Sequence, residues 1–402
     1  MPQTDVVVIG AGPGGAALAT LVARSGHSVR LYERQGFPRF QIGESLVPAV
    51  NIVLERLGVL QQLNGQRFTQ KHGVQFFSAD GPTRPFYFSE VEDSRMHHTW
   101  QVLRSDFDAM MLENAVSAGV QAQTGVDVAR ILSDGDAVTG VEIAFEDGSR
   151  QVVDARVVVD ASGQNGLLAR DRGERLSIPG LENAAVFAHY DGASRGEGRD
   201  AGSTLIFRLD GQAWLWFIPL VDTVSIGLVA PSQRVSEFGS SPTEILDAAI
   251  ARCPALQERL VDATRTMEVR AARDVSYRAE HDGGPGWLLV GDALGFIDPI
   301  YSTGLLLTLN SAELAAVAID AGLGGDSVAD FAGYSKDYQV AFDQFLILVH
   351  AFYREGFQFG KLAQNPTYRQ GLIDLLTGIV STPEALEVTQ TIQAVFDAEG
   401  TA

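Results

Sequence analysis

The sequence predicts an α/β fold with a parallel, nucleotide-binding layer at its amino end, an antiparallel sheet in its middle and helices at its carboxyl end. Three observations carry this. A buried strand, a glycine turn, a helix and a second strand follow one another over residues 5–33. Extended segments separated by Gly and Asp turns fill residues 184–230. From Asn310 onward the pattern is almost wholly helical.

The first strand is Asp5-Val-Val-Val-Ile-Gly10, a short apolar run of the kind buried on both faces. Ala16, Leu18, Leu21 and Val22 give residues 13–25 helical periodicity, and residues 28–33 return to a strand, which completes a β-α-β unit. A helix is expected over 48–63, and residues 73–88 alternate as a hairpin around Asp80-Gly81-Pro82. Residues 104–116 read as a helix, and 140–159 as two strands about a Glu146-Asp147-Gly148 turn. Strands at 184–190, 203–209, 213–219 and 223–230 would form a sheet roofing a cavity. A helix at 242–252 and a buried strand at 287–292 follow. Ser381-Thr382-Pro383-Glu384 has capping-box spacing with proline near the helix start.

A chain of 402 residues exceeds one compact core, so two or three lobes are expected. Fifty acids face 30 bases, a formal charge of −20, which argues against a nucleic-acid partner because phosphates would be repelled. Cys253 is the single cysteine, and the adjacent His97 and His98 lack acids at ligand spacing, so neither a disulfide nor a metal centre is expected. The longest apolar run, Phe345 to Tyr353, is interrupted by His350 and falls short of a membrane span. The amino end shows no long apolar signal segment, so a cytoplasmic location is expected. The bases are 27 arginines and three lysines, Lys71, Lys336 and Lys361. Where arginine is the default cation, a retained lysine marks a place that needs a neutral amine.

Gly10-Ala-Gly12-Pro-Gly14-Gly15 follows the first strand and opens the first helix. Glycine is needed there for the tight turn, for close approach of backbone to a pyrophosphate, and for helix-on-strand packing. Glu33 ends the second strand, where a carboxylate accepts both ribose hydroxyls and disfavours a 2′-phosphate; this suits FAD or NAD. Arg104-Ser-Asp-Phe-Asp108, Val158-Val-Asp160-Ala-Ser-Gly163 and Leu289-Val-Gly291-Asp292-Ala293 follow in that order. Together they resemble the FAD-dependent monooxygenase superfamily, in which the late Gly-Asp-Ala contacts the ribityl chain. A second G-x-G-x-x-G after a later strand is not seen, so an NADPH domain is not expected and reduced flavin would come from a separate flavin reductase.

Trp214-Leu-Trp216-Phe-Ile218-Pro219 places two of the four tryptophans on one face of a strand. A core aromatic pair would look the same. The string nevertheless matches the W-x-W-x-I-P motif of flavin-dependent halogenases. Gly43-Glu44-Ser45-Leu-Val-Pro48 and Phe296-Ile-Asp-Pro299-Ile-Tyr301-Ser302-Thr303-Gly304 resemble two further segments of that family. The resemblance implies a Rossmann-type, GR2-like FAD domain, with Gly10, Gly12, Gly14, Gly15, Glu33, Ser45, Arg104, Asp292 and Gly304 on the cofactor. It implies chloride or bromide at Thr303 and Gly304, where the amides of a tight turn form an anion nest. Lys71 stands where the family places its essential lysine, and Trp214, Trp216 and Tyr301 fall on the substrate side. The implied chemistry is oxidation of halide by reduced flavin and O2 to hypohalous acid, which Lys71 holds or carries as a haloamine to an electron-rich ring.

One departure is informative. Tryptophan-specific members carry glutamate directly before Ser-Thr-Gly, and here the residue is Tyr301. With the long extra segments of those members also missing, the resemblance points to the phenol and pyrrole branch, whose substrate is free or tethered to a carrier protein. The alternative within the same fold is a hydroxylase or an isoprenoid-type reductase. Residues 1–70, 100–175 and 265–325 are expected to form a discontinuous FAD domain, 71–99 and 176–264 the substrate sheet, and 326–402 a helical region.

Overall fold

The computed structural model describes residues 4–64, 68–78, 81–210, 212–273, 276–325, 327–354, 357, 362 and 364–400. Asp80 of the expected hairpin turn and Lys361 lie outside these residues.

The parallel layer runs in the order Trp287–Leu289, Arg150–Asp160, Thr4–Ile9, Val29–Glu33, Gln121–Thr124. Val6, Val7 and Val8 are fully buried, as expected of a strand covered on both faces. Its carboxyl ends, at Gly10, Glu33 and Ala161, open on a common crevice. This is where parallel α/β sheets bind ligands. Pro13–Arg24 packs on the layer and against Gly304–Leu323. The latter is, among the described residues, the one helix long and apolar enough to cross a membrane, and half of it is buried in this fold.

The second sheet has the order Thr264–Arg265, Asn183–Asp191, Val224–Pro231, Trp214–Pro219, Thr204–Arg208, Gly73–Ser78, Gly81–Pro82. The pairing of Thr204–Arg208 with Gly73–Ser78 is parallel; its other neighbours are antiparallel. Alternation divides its side chains. Leu215 and Phe217 pack with Ile245 and Leu246 of the helix Pro242–Ala251, while Trp214, Trp216 and Ile218 face the nucleotide half. The sheet is thus a wall with a solvent-side helix behind it and the site in front.

Several expected boundaries move. The helix expected over 48–63 is two helices, Val50–Arg56 and Leu60–Leu63, separated at Gly58, which has a φ of +73°. The last long helix, Pro383–Gly400, is capped by Thr382 rather than Ser381: the Thr382 hydroxyl accepts from Ala385 N–H at 3.2 Å and donates to Asp374 at 2.6 Å. The reciprocal box forms instead between Ser241 and Glu244. The helix that follows the 302–304 turn begins at Gly304, before Asn310. Thr264–Arg265 and Arg270–Arg273 pair with Asn183–Asp191, so the chain stays in the larger sheet beyond the boundary expected at 265.

Candidate active site

Two adjoining cavities open between the layers, of about 270 and about 90 Å3, sharing a wall of Ile42, Gly43, Phe296, Gly304 and Leu305. The larger has the chemistry of a dinucleotide site. Gly10 adopts a φ of +99°, and a Cβ there would sit 2.6 Å from the Ala161 carbonyl oxygen. Gly12 and Gly14 also line the cavity; a Cβ on Gly12 would meet only the Arg39 side chain, at 3.6 Å. Gly15 does not line it. Its hydrogen faces the Gly10 carbonyl, which a Cβ would approach to 2.0 Å, so Gly15 serves packing rather than contact. The helix Pro13–Arg24 has no side-chain cap and no acid in its first turn, which leaves its amides and positive end for an anion.

Glu33 is held by Ala11 N–H at 3.0 Å and Gln35 N–H at 2.9 Å, one to each carboxylate oxygen. Arg104 lines the cavity, but its fork is taken by Asp108 at 2.7 and 3.1 Å, and it donates to the Ile42 carbonyl at 2.8 Å. It therefore shapes the 42–43 backbone that walls both cavities. Asp292 also lines the larger cavity; burial pushes its carboxyl up to about 6, with Arg104 opposing. Arg39 was not foreseen. It lines the cavity 3.2 Å from Asp108, and its buried Nε has no hydrogen-bond partner among the described residues. Nothing in its local sequence separates it from the other arginines. A glycine floor, a bare helix terminus, an anchored carboxylate and an unpaired guanidinium nitrogen fit the adenosine and pyrophosphate of FAD.

The smaller cavity is bounded by Trp214, Trp216 and Ile218, with Thr204, Ser45, Ser302 and Pro299 around them. The indole centroids are 6.1 Å apart. Each indole N–H is bonded, Trp214 to the Tyr353 hydroxyl at 2.8 Å and Trp216 to Ser225 at 3.1 Å. Gly227, opposite Trp216 on the next strand, makes room for it: a Cβ would lie 2.2 Å from the indole ring. Gly227→Ala is accordingly expected to push Trp216 into the cavity and lower turnover about tenfold, a repacking cost of 1–2 kcal/mol. A kcat assay and near-ultraviolet dichroism check this; unchanged values for both would show that the indole is not seated by this glycine.

Lys71 ends the strand Thr69–Lys71, which pairs with Thr99–Gln101, and Ser45 bridges to Gln101 from the other side. This ribbon brings Lys71 to Ser45. The Lys71 side chain is almost wholly buried, and its Nζ donates to Ser45 Oγ at 2.8 Å and to the Leu46 carbonyl at 2.9 Å. Two acceptors match the two N–H bonds of a neutral amine, and the Nζ lies 5.6 Å from the centroid of the Phe88 ring. Burial pushes Lys71 down to about 7. Ser45 lies 3.2 Å from the Thr204 hydroxyl, which accepts from Gln101 at 2.8 Å. Ser45 thus belongs to the smaller cavity and the lysine, not to the dinucleotide cavity where it was expected.

At the 302–304 turn Ser302 has a φ of +58° and Thr303 a right-handed φ of −84°, a left-then-right pair that converges successive amides into a nest. Gly304 lines both cavities; Thr303 lines neither. Tyr301 is corrected. It does not line the cavity: its ring packs edge-on to Phe352 and its hydroxyl points to the Leu348 carbonyl at 3.4 Å, because the turn reverses direction at Ser302.

Residues 5–105 and 88–358 match the family described as tryptophan halogenase. The chain is 30% identical, over 98% of its own length and 93% of the relative's, to the 1H-pyrrole-2-carbonyl-(peptidyl-carrier protein) chlorinase of Pseudomonas fluorescens. It is 33% identical, over 93% and 91%, to the corresponding brominase of Pseudoalteromonas luteoviolacea. Among solved structures it is similar to the flavin-dependent brominase Bmp2, with a TM-score of 0.90, 30% identity and full coverage of both chains. It is also similar to the myxobacterial chondrochloren halogenase CndH, with a TM-score of 0.83, 30% identity and 97% coverage of each.

Proposed function

Because this chain belongs to the tryptophan halogenase family and is a flavin-dependent halogenase, we propose that it chlorinates or brominates a pyrrole ring tethered to a peptidyl-carrier protein. The enzyme uses FAD, O2 and halide. Support for a tethered pyrrole comes from the two relatives that act on pyrrole-2-carbonyl groups of a carrier protein, each matched over more than nine-tenths of its length.

The observation that carries the mechanism is the buried Lys71 amine bonded to Ser45 at the rim of a cavity walled by two indoles. Reduced FAD, when bound, supplies with O2 the oxidising equivalents that turn halide into an electrophile. The chain does the rest. The Thr303 and Gly304 amides hold the halide, Trp214 and Trp216 fence the cavity, and the neutral Lys71 amine binds the electrophilic halogen until the pyrrole takes it up. The ring then loses the proton that the halogen replaces. A separate flavin reductase supplies reduced FAD in this proposal.

The deciding assay combines the protein with FAD, a flavin reductase, NADH and halide. Free and carrier-tethered pyrroles and phenols are offered, and halogen isotope patterns are read by mass spectrometry. Halogenation of the tethered pyrrole alone is expected; halogenation of free phenols instead would sink the tethered-pyrrole proposal. The isolated chain is also expected to bind FAD without oxidising NADH or NADPH, and rapid NADPH consumption without added reductase would refute the need for a partner.

A further inference from the structure

The wall tryptophan does not stand alone. Trp214 Nε1 donates to the Tyr353 hydroxyl at 2.8 Å, and Tyr353 donates to Asp298 Oδ2 at 3.0 Å. Asn183 donates to the same oxygen at 3.1 Å, and Ile300 N–H donates to Asp298 Oδ1 at 3.0 Å. Trp214, Tyr353, Asp298 and Asn183 are all buried. Asp298 sits in the loop between Phe296 and the anion turn, so this chain of bonds joins one wall of the cavity to the segment that carries the halide amides.

Tyr353 is the last residue of the helix Lys336–Tyr353. Carbonyls at a helix end have no helical partner. Here Arg208 donates to the Phe352 carbonyl at 3.1 Å and Gln212 to the Tyr353 carbonyl at 2.8 Å. Both donors flank the turn that leads into the tryptophan strand. Phe352 packs edge-on to Trp214, Tyr301 and Tyr353. One helix end is therefore fastened at once to the tryptophan hairpin and to the loop of the anion turn, three segments far apart in sequence.

We propose that Tyr353 is a positioning residue for halogen transfer: through Trp214 on one side and Asp298 on the other, its hydroxyl fixes the spacing between the indole wall and the anion turn. This rests on the halogenase function given above. Without the hydroxyl, Trp214 keeps its ring contacts but loses the bond that sets its tilt, and Asp298 loses one of its three donors. A buried indole N–H left without a partner costs free energy, so the ring turns to find another. The oxidised halogen then has a looser fence and is lost to water more often.

Tyr353→Phe tests this, since it keeps the ring on Phe352 and removes only the hydroxyl. In FAD-free protein the near-ultraviolet dichroism of tryptophan should change, and the change should vanish when the same substitution is made in Trp214→Phe. In the complete assay, halogenated product per O2 consumed should fall about five- to tenfold, the weight of one buried hydrogen bond. FAD affinity and the oxidation of reduced flavin should hold. Asp298→Asn should give a similar fall, and the double variant no further one, as for residues acting in one network. Additive losses, or a tryptophan spectrum unaltered by Tyr353→Phe, would overturn the positioning role. If no substrate is halogenated by the parent protein, the substrate reading fails, and the tryptophan spectrum still decides for or against the clamp.

Discussion

Lys71→Ala is expected to abolish halogenation, a loss of about a thousandfold, while FAD still binds and reduced flavin is still oxidised by O2. The amine bonds Ser45 and the Leu46 carbonyl and lines neither cavity, so its removal leaves the residues that wall the larger cavity in place. Lys71→Arg is expected to fail as well, because a guanidinium stays charged and cannot present a lone pair to a halogen. With the amine titrating at about 7, its neutral fraction grows with pH. Product per O2 consumed should therefore rise between pH 6 and pH 8 and level off above. Stability should follow the same sign. Between about 7 in the fold and about 10.4 in the unfolded chain, the unfolded state binds the extra proton, so stability increases with pH through that window. Lys71→Met should flatten this slope and raise Tm near neutral pH, the removed desolvation cost amounting to roughly a few kcal/mol of unfolding free energy. Thermal melts from pH 6 to 9 on both proteins measure it. Product formation by Lys71→Ala at the parent rate would take Lys71 out of the mechanism.

Gly15→Ala is expected to lower FAD affinity at least about a hundredfold, the equivalent of roughly 3 kcal/mol. Its methyl group would be driven to 2.0 Å from the Gly10 carbonyl, backbone that has nowhere to go without lifting the helix Pro13–Arg24 off its strand. Gly12→Ala separates folding from binding. Only the tip of Arg39 lies within reach of its added carbon, so the fold should persist, but the methyl points into the cavity and should weaken FAD about tenfold. Flavin titration by fluorescence quenching, with a melt to confirm folding, reads both. Parent-like affinity in Gly15→Ala would mean that the turn tolerates displacement and that the packing account is wrong.

Local pattern was enough wherever the chemistry is local. Gly10, Gly12 and Glu33 lie at the end of consecutive strands, and the period-two spacing of Trp214 and Trp216 fixed their shared face before any tertiary contact was known. What stayed hidden depends on pairings across the chain. Arg39 meets Asp108 69 positions later, and Tyr353 meets Asp298 and Trp214 across 55 and 139. The parallel pairing of Gly73–Ser78 with Thr204–Arg208 has no periodicity of its own to announce it. Ser45 was assigned by resemblance to the cofactor, yet its hydroxyl is claimed by Lys71, which is visible only once Thr69–Lys71 and Thr99–Gln101 pair. Tyr301 shows a related error: the resemblance put it on the substrate side, and the left-handed Ser302 turns its ring away from the cavity.

The helix Gly304–Leu323 begins at the anion turn and lies along Pro13–Arg24, and one turn in, Thr308 sits against Gly14 and Gly291. The turn proposed to hold halide and the glycine floor of the larger cavity are therefore joined through one packed pair of helices. For anyone wishing to change which ring this enzyme accepts, that fact divides the molecule. Substitutions in the first turns of this helix would disturb cofactor capture along with anion placement, and screens for new substrates seeded there should return mostly flavin-free protein. The sheet strands and the end of the helix Lys336–Tyr353 bear on the opposite wall of the cavity, and libraries aimed at them that keep Trp214, Trp216 and Tyr353 can reshape acceptance while cofactor capture stays as it is.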